Sequence, residues 1–235
     1  MKVDITHRTN YDHGRDPDRD DPLLRDHHQL LWSRVLPNGR MFELTVSISR
    51  PYKLFHTSDL GSFTLSSDAI IHSYSRIKNR QMVDIISRIP KNDIDGFFGL
   101  ACTIGGYIIF PSNKVDGMAT INMRRGTEKQ IWDRFDLTLE CIRRWYVGEK
   151  SPLSDCLDRY GDFFRLFTDF EGYVGFFLLD DLVVDGRIRF WLPFRDFGVT
   201  HPLPGDVDEY VEYMKNASDF TEARNRRIDE LMNRS

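Results

Sequence analysis

The feature that most constrains the fold is a hairpin signal near the start of the chain, Pro-Asn-Gly-Arg at residues 37–40. An Asn-Gly pair readily adopts the positive φ angles of a type I′ turn, which joins two antiparallel strands. We therefore expect strands over 32–36 and 41–48. Short alternating segments at 52–56 and 62–66 predict further antiparallel pairing in the same half of the chain.

Helical periodicity dominates the rest of the chain. Asp21 followed by Pro22 predicts the start of a first helix, because proline is favoured at the first helical position. Thr127 and Glu128 are predicted to open the strongest helix, which ends at Gly148. Its apolar stripe consists of Ile131, Phe135, Leu139, Ile142 and Tyr146. Further helices are predicted over 151–167 and in the C-terminal part of the chain, and a strand over 187–192.

Strands that come first and helices that come later favour an α+β fold over a doubly wound sheet. We predict an antiparallel sheet from the N-terminal half, packed against helices mostly from the C-terminal half. The turn formers and charges of residues 10–22 predict an exposed polar arm over 1–21. Residues 22–235 are then expected to form a single α+β domain.

The composition restricts the compartment and the class of partner. The start of the chain is polar, and the longest apolar runs, 107–110 and 174–179, are too short to span a bilayer. We therefore expect a cytoplasmic protein with no membrane partner. The formal net charge of −4 and the pI near 6.0 exclude a general attraction to nucleic acid, although a local basic patch remains compatible with them.

The sequence predicts no metal site and identifies no cofactor. The three cysteines lack the spacing of a zinc site, and the seven histidines are scattered. His27 and His28 are adjacent, so they point to different faces of a helix and cannot form a ligand pair. Neither GxxxxGK[ST] nor GxGxxG occurs, so neither phosphate-binding loop is present.

The densest polar segment spans residues 120–144, and two interpretations of it remain open. Asp136, Glu140 and Arg143 are three or four residues apart, so on a helix they share a face and form a solvated ladder of ion pairs. Alternatively, the helix lies inside the domain and its carboxylates orient arginines toward an anionic ligand, since arginine binds phosphate with two hydrogen bonds. Gly126, placed before the predicted helix start, favours the second interpretation. The predicted ligand-binding residues are Asn122, Arg125, Gly126, Arg134 and Arg143.

His56 supplies a second candidate, because it precedes Thr57, Ser58 and Asp59. A histidine beside a hydroxyl is the pairing that nucleophilic or phosphoryl chemistry needs. A strand-end turn capped by serine and aspartate explains the same residues without chemistry, and the segment 66–68, Ser-Ser-Asp, carries the same ambiguity. The predicted catalytic residues are His56, Asp136 and Glu140.

Most of the chain resembles an uncharacterised family of small bacterial proteins, from actinobacteria and firmicutes, that is known as a domain of unknown function. The segments that carry the resemblance are 28–33, 36–39, 61–68, 105–111, 120–122, 125–126 and 133–144. The resemblance implies one domain and a bacterial cytoplasm. It implies no activity, cofactor or catalytic residue.

Two functions from different classes follow as hypotheses. The first is an enzyme that acts on a phosphate-bearing substrate, RNA or a nucleotide. The alternative is a non-catalytic protein-interaction module, of a toxin-antitoxin or phage-defence type, that binds a protein partner through aromatic surfaces near 163–177 and the C-terminal helices. A homo-oligomer whose buried ion pairs only fix its assembly is the third hypothesis.

Overall fold

A computed structural model describes residues 2–9, 16–46, 48, 50–72, 74 and 80–233. Its central element is a four-stranded antiparallel sheet in the order β3-β4-β5-β6. The strands are β3 (Thr45–Val46), β4 (Leu54–Ser58), β5 (Gly61–Ala69) and β6 (Tyr107–Pro111). The first three strands follow one another directly, whereas two helices separate β5 from β6. These are α3 (Arg80–Ile86) and α4 (Lys91–Ala101).

Of the two N-terminal helices, only the second begins where the sequence predicts it, because the first lies in the segment predicted as an exposed arm. Asp16 caps α1 (Pro17–Asp20), and Asp21 caps α2 (Pro22–Trp32) by accepting hydrogen bonds from the backbone N–H groups of Leu23 and Leu24. The predicted exposed arm is wrong for part of its length. Val3, Thr9 and Asp18 are buried, and α1, which carries Asp18, packs on the sheet at β5. Residues 10–15 of that predicted arm lie outside the described part of the chain.

The predicted hairpin is confirmed, but its strands are shorter than expected. β1 (Arg34–Val35) pairs with β2 (Met41–Phe42) in an antiparallel ladder. Of the two turn residues only Gly39 has a positive φ angle, 81°, so the turn is not type I′. Trp32 belongs to α2 rather than to a strand, because the helix continues to it and buries its ring completely.

The second half of the chain is mainly helical, so the α+β prediction is confirmed. Its helices are α5 (Ile121–Thr127), α6 (Phe135–Tyr146), α7 (Ser154–Arg159), α8 (Gly161–Arg165), α9 (Phe170–Phe176) and α10 (Val207–Asn233). The strand predicted over 187–192 is only β8 (Arg187–Ile188), which pairs with β7 (Val183–Val184). The helix predicted over 151–167 is divided between α7 and α8. None of the described helices is both long and apolar enough to cross a bilayer.

The long helix α10 docks against two glycines that precede β6. The backbone N–H of Gly105 donates to Asn225 Oδ1 at 2.9 Å, and a Cβ atom at Gly105 would lie 2.5 Å from that oxygen. A Cβ atom at Gly106 would lie 2.0 Å from the carbonyl oxygen of Ala101. Only glycine permits such close approach, so Gly105 allows α10 to lie against the start of β6, and Gly106 allows the chain to turn tightly after α4.

Candidate functional site

An open cleft of about 360 Å³ lies beside the end of β5. Its walls come from α1, the residues before β4, the end of β5, the start of α5 and the turn before α6. We call it the Asp68 cleft and define it by Asp18, Lys53, Ser67, Asp68, Asn122 and Asp133. These side chains are distant in sequence, so only the fold brings them together.

One wall of the Asp68 cleft is a hydrogen-bonded group around Asp18. Its carboxylate accepts from the backbone N–H of Ser67 at 3.0 Å and from the Ser67 hydroxyl at 2.5 Å. The Lys53 ammonium lies 3.2 Å from the same carboxylate. Burial raises the pKa of Asp18, and the charge of Lys53 opposes this rise only in part.

Two carboxylates that line the cleft, those of Asp68 and Asp133, are bridged by an arginine buried behind them. Arg125 donates to Asp68 Oδ2 at 2.5 Å, and its Nε atom lies 3.2 Å from Asp133 Oδ1. Its other donors bond to the carbonyl oxygens of Ala69 and Asp133 and to the hydroxyl of Thr138. Arg125 is fully buried. Its guanidinium is therefore occupied by protein acceptors and is not presented to a phosphate.

Both carboxyl groups of this bridge hold their protons more tightly than usual. Burial raises the pKa of Asp68 to about 6, and Arg125 limits the rise by favouring the charged form. Burial also raises the pKa of Asp133, against the same opposing charge. A carboxyl group that titrates near neutral pH can act as a general acid or base in the physiological range.

The backbone that carries Asp133 has an uncommon conformation. Trp132 and Asp133 have φ angles of 46° and 62°, the left-handed region that residues other than glycine rarely adopt. The backbone N–H of Asp133 donates to the carbonyl oxygen of Arg125 at 3.1 Å, which holds the turn on α5. Strain of this kind costs about 1–3 kcal/mol per residue and is concentrated at functional sites.

A histidine that the sequence did not single out also lines the cleft. His72 Nδ1 accepts from the backbone N–H of Tyr74 at 2.9 Å, and the Tyr213 hydroxyl donates to the His72 carbonyl oxygen at 2.7 Å. The first bond orients the imidazole, and the second holds the backbone that carries it. Because Nδ1 is an acceptor, a neutral ring carries its proton on Nε2.

Among the predicted ligand-binding residues, only Asn122 lines the Asp68 cleft. Arg134 is fully buried and forms a bidentate pair with Asp136, at 3.1 and 2.5 Å. It also donates to the carbonyl oxygen of Pro202, and Asp136 accepts from the backbone N–H of Trp191. The Arg134 guanidinium and the Asp136 carboxylate are fully paired inside the protein. The predicted roles, anion binding by Arg134 and catalysis by Asp136, are therefore wrong, because neither side chain can contact a ligand.

The two interpretations of the 120–144 segment apply to different residues. Glu140 pairs with Arg143 at 2.8 Å and with Arg144 at 2.8 Å, and both arginines are partly exposed. This is the predicted ladder of ion pairs, with spacings of three and four residues. Asp136 instead pairs with Arg134 in the interior. Neither Glu140 nor Arg143 lines the Asp68 cleft.

The prediction that Gly126 precedes a helix N-terminus is wrong. Gly126 is exposed and lies within α5, close to its C-terminal end. The Thr127 hydroxyl donates back to the carbonyl oxygens of Met123 and Arg124, so it belongs to the end of α5 and does not open a helix. Gly126 therefore offers no N-terminal dipole to an anion.

His56 is buried in an aromatic stack rather than placed beside a reactive hydroxyl. Its ring centroid lies 4.2 Å from that of Phe42, and its Nδ1–H donates to the Glu43 carbonyl oxygen at 3.0 Å. Burial lowers its pKa. It belongs to another cleft and not to the Asp68 cleft. Thr57 faces the other side of β4, because side chains alternate along a strand.

The aromatic side chains near 163–177, which the interaction hypothesis names together with the C-terminal helices, are mostly buried. The rings of Phe163, Phe164, Phe167, Phe176 and Phe177 are buried and pack against one another at centroid distances near 5 Å. A flat apolar patch cannot form from them. They are part of the hydrophobic core.

A sequence signal for the cleft existed at the end of β5. Ser67 and Asp68 are two consecutive polar residues, and both are buried in the strand. Consecutive residues of a strand face opposite sides, so their burial requires polar partners on both sides of the sheet. Asp18 and Arg125 are those partners, but no local pattern relates them to β5. In the part of the chain that is described, no three acidic, histidine or cysteine side chains are grouped as a metal site would require.

The fold and the site define an α+β protein with an acidic cleft on one end of its sheet. The chain belongs to a family of unknown function, DUF6994, whose model matches residues 1–228. The predicted resemblance to a domain of unknown function is therefore confirmed. No curated protein and no solved structure matches the chain.

Proposed function

We propose that this protein is an enzyme whose active site is the Asp68 cleft and whose chemistry is acid–base catalysis on a hydroxyl-bearing substrate. The observation that carries the proposal is the bridge beside the cleft, where Arg125 holds Asp68 and Asp133 together. Pairs of ionisable groups with shifted pKa values in an open cleft are typical of catalytic sites. Trp132 and Asp133 also have left-handed backbone, a form of strain that is concentrated at functional sites.

The charges of the cleft favour the ribose of a nucleotide over its phosphate. Carboxylates bind the hydroxyl groups of a ribose, as they do in dinucleotide-binding folds. Phosphate is repelled by the carboxylates, and among the described residues that line the cleft Lys53 is the only lysine or arginine. The substrate class that fits is therefore a ribonucleoside, a nucleotide or RNA, with the ribose beside Asp68 and Asp133 and a phosphate near Lys53.

The residues divide into three roles. Asp68 acts as general acid in its protonated form, because burial raises its pKa to about 6 and part of the population is therefore protonated near neutral pH. Asp133 accepts hydrogen bonds from substrate hydroxyls, and Asn122 and His72 bind the remaining polar groups. Arg125 is a positioning residue that acts through the two carboxylates. The setting implied by the family resemblance, a bacterial cytoplasm, is part of this proposal.

The first experiment measures binding and turnover with matched ligands. Ribonucleosides, ribonucleotides and short RNAs are compared with their 2′-deoxy counterparts by thermal melting, and products are followed by mass spectrometry. We expect stabilisation by the ribose compounds only, and turnover that falls at least about a hundredfold in Asp68→Asn and Asp133→Asn. Asp95→Asn, an exposed carboxylate on α4, is the control that keeps full activity.

The pH profile tests the role of Asp68 separately. Because the protonated form is the acid, the rate should decrease as the pH rises through about 6, and Asp68→Asn should abolish this dependence. Equal rates in wild type and both cleft variants, or equal stabilisation by ribose and deoxyribose ligands, would contradict the proposal.

A further inference from the structure

The turn between β1 and β2 contains the only Asn-Gly pair of the chain, Asn38 and Gly39. Asparagine is a chemically labile residue that proteins adapted to high temperature use sparingly. The backbone nitrogen that follows it can attack its side-chain amide carbon and close a five-membered ring. Glycine hinders this attack least, because it has no side chain. The pair therefore combines a labile side chain with an unhindered nucleophile.

Both residues of this turn are exposed, and the side-chain amide of Asn38 is held beside the backbone. Apart from chain neighbours, no atom of the described residues lies within 4 Å of the point where a Cβ atom of Gly39 would be. Asn38 Oδ1 accepts from the backbone N–H of Arg40 at 3.0 Å. Because a hydrogen bond to the oxygen polarises the amide, it makes the side-chain carbon more electrophilic. Water, the electrophile and the nucleophile thus meet at one exposed position.

Two backbone hydrogen bonds close the turn, and one of them must break before the reaction. Gly39 N–H donates to the Leu36 carbonyl oxygen at 2.9 Å, and Leu36 N–H donates to the Arg40 carbonyl oxygen at 2.7 Å. The hairpin beyond them is short, since β1 and β2 pair at only two positions, Arg34 with Phe42 and Val35 with Met41. Short exposed segments open locally far more often than core strands do. The Gly39 nitrogen therefore becomes available without global unfolding.

We propose that Asn38 is a site of spontaneous deamidation in the folded protein. The Gly39 nitrogen loses its proton and bonds to the side-chain carbon of Asn38, and the side-chain nitrogen gains a proton and leaves as ammonia. Water then opens the cyclic imide. Breaking the bond from nitrogen to the former side-chain carbon gives aspartate, and breaking the bond to the original backbone carbonyl carbon gives isoaspartate. The reaction requires only water, and it does not depend on the activity assigned to the Asp68 cleft.

The two products change the hairpin in different ways. Aspartate keeps an oxygen that can accept from the Arg40 N–H and adds a carboxylate to a cleft of about 310 Å³, which Asn38, Arg40 and Asp59 line. Arg40 and Asp59 already form an ion pair there. Isoaspartate lengthens the backbone between Pro37 and Gly39 by one atom, so the turn loses the geometry of its two closing hydrogen bonds. Isoaspartate is also the group that repair methyltransferases esterify, which identifies the class of enzyme that this site would engage.

Peptide mapping by mass spectrometry tests the proposal on the full-length folded protein, incubated at pH 6 and at pH 8. Deamidation adds about 1 Da to a peptide, and an isoaspartate methyltransferase with a labelled methyl donor reports the second product. We expect Asn38 to convert at least about tenfold faster than Asn113, an exposed asparagine that precedes Lys114. Conversion should be faster at pH 8, because the reacting nitrogen must lose its proton.

Two variants separate the chemistry of the pair from the exposure of the turn. Gly39→Asp places a side chain beside the nitrogen and should slow conversion at least about tenfold, while aspartate tolerates the left-handed backbone of position 39 better than most residues. Asn38→Asp reproduces the first product and should melt at the same temperature as wild type. The proposal is overturned if Asn38 stays intact in the folded protein while it converts in the urea-unfolded chain, or if Asn38 and Asn113 convert at equal rates.

Discussion

Two arginines, Arg125 and Arg224, are buried completely but are stabilised in different ways. Arg125 lies between two carboxylates, and these raise its pKa although burial acts in the opposite direction. Arg224 on α10 has no carboxylate partner among the described residues. It donates to the backbone carbonyl oxygens of Gly105, Tyr107 and Phe177, and its Nη2 atom has no partner.

The two arginines therefore differ in role: Arg125 belongs to a charged site, and Arg224 holds backbone segments together. Burial lowers the pKa of Arg224 to about 9, so it remains charged at neutral pH with only dipoles around it. Its three acceptors come from the glycine pair, β6 and the end of α9, which α10 thereby joins. Around Arg125 the burial of opposite charges instead creates carboxyl groups with shifted pKa values beside an open cleft. The hydrogen bonds of Arg224 therefore hold α10 in place, whereas the ion pairs of Arg125 leave titratable carboxyl groups beside the cleft.

The largest expected effect is that of removing Arg125. Arg125→Met leaves Asp68 and Asp133 without their counter-ion, and such a loss costs about 3–5 kcal/mol of unfolding free energy at pH 7. Urea unfolding measures it, and Arg124→Gln, the exposed neighbour on α5, should change stability by less than about 0.5 kcal/mol. Equal costs for the two variants would show that the bridge contributes no more than a surface pair.

The cost of Arg125→Met should decrease at pH 5, because protonated carboxyl groups no longer need the counter-ion. A cost that is the same at pH 5 and pH 7 would contradict the assigned charge states.

The second effect is the pH dependence of stability that comes from Asp68. An aspartate in the unfolded chain titrates near pH 4 and Asp68 near 6, so the folded state binds this proton more tightly. The associated stability is present below about pH 4 and is lost as the pH rises to about 6, by at most roughly 3 kcal/mol. In Asp68→Asn this decrease should be absent when unfolding free energies are compared across the same range. An unchanged slope would assign the pH dependence to other groups.

The smallest effect is expected at Arg224. Arg224→Met leaves three carbonyl oxygens unpaired but also removes an uncompensated buried charge, so the net cost should be about 1–2 kcal/mol. It should not change between pH 5 and pH 8, since no carboxylate is involved. Urea unfolding at both pH values provides the measurement. A larger cost than that of Arg125→Met would reverse the comparison.

The local features of the fold were predictable because they depend on neighbouring residues. Asp21 and Pro22 start α2, and the Asn-Gly pair turns between β1 and β2, through interactions that span only a few residues. The stripe of Phe135, Leu139 and Ile142 predicts a helix with one buried face, and α6 buries all three. Its start was predicted too early, because Trp132 and Asp133 have left-handed backbone that no propensity indicates.

The candidate site was less predictable for the same physical reason. The 120–144 segment does contribute Asn122, Arg125 and Asp133 to the region of the cleft. The role expected for Arg125 was wrong, because its burial and its partner Asp68 depend on how α5 packs against β5. No sequence pattern placed Asp18 or Lys53 in a site with Asp68, since their neighbours in the cleft are distant in sequence.

The sequence by itself determined the class of fold, the start of α2 and the segment with the densest charge, because these depend on short-range periodicity and capping. Only the tertiary structure decided which charges became paired in the interior and which line an open cleft. Those outcomes depend on the balance between the cost of removing a charge from water and the gain from a partner many residues away. That partner exists only after the sheet and helices have packed together.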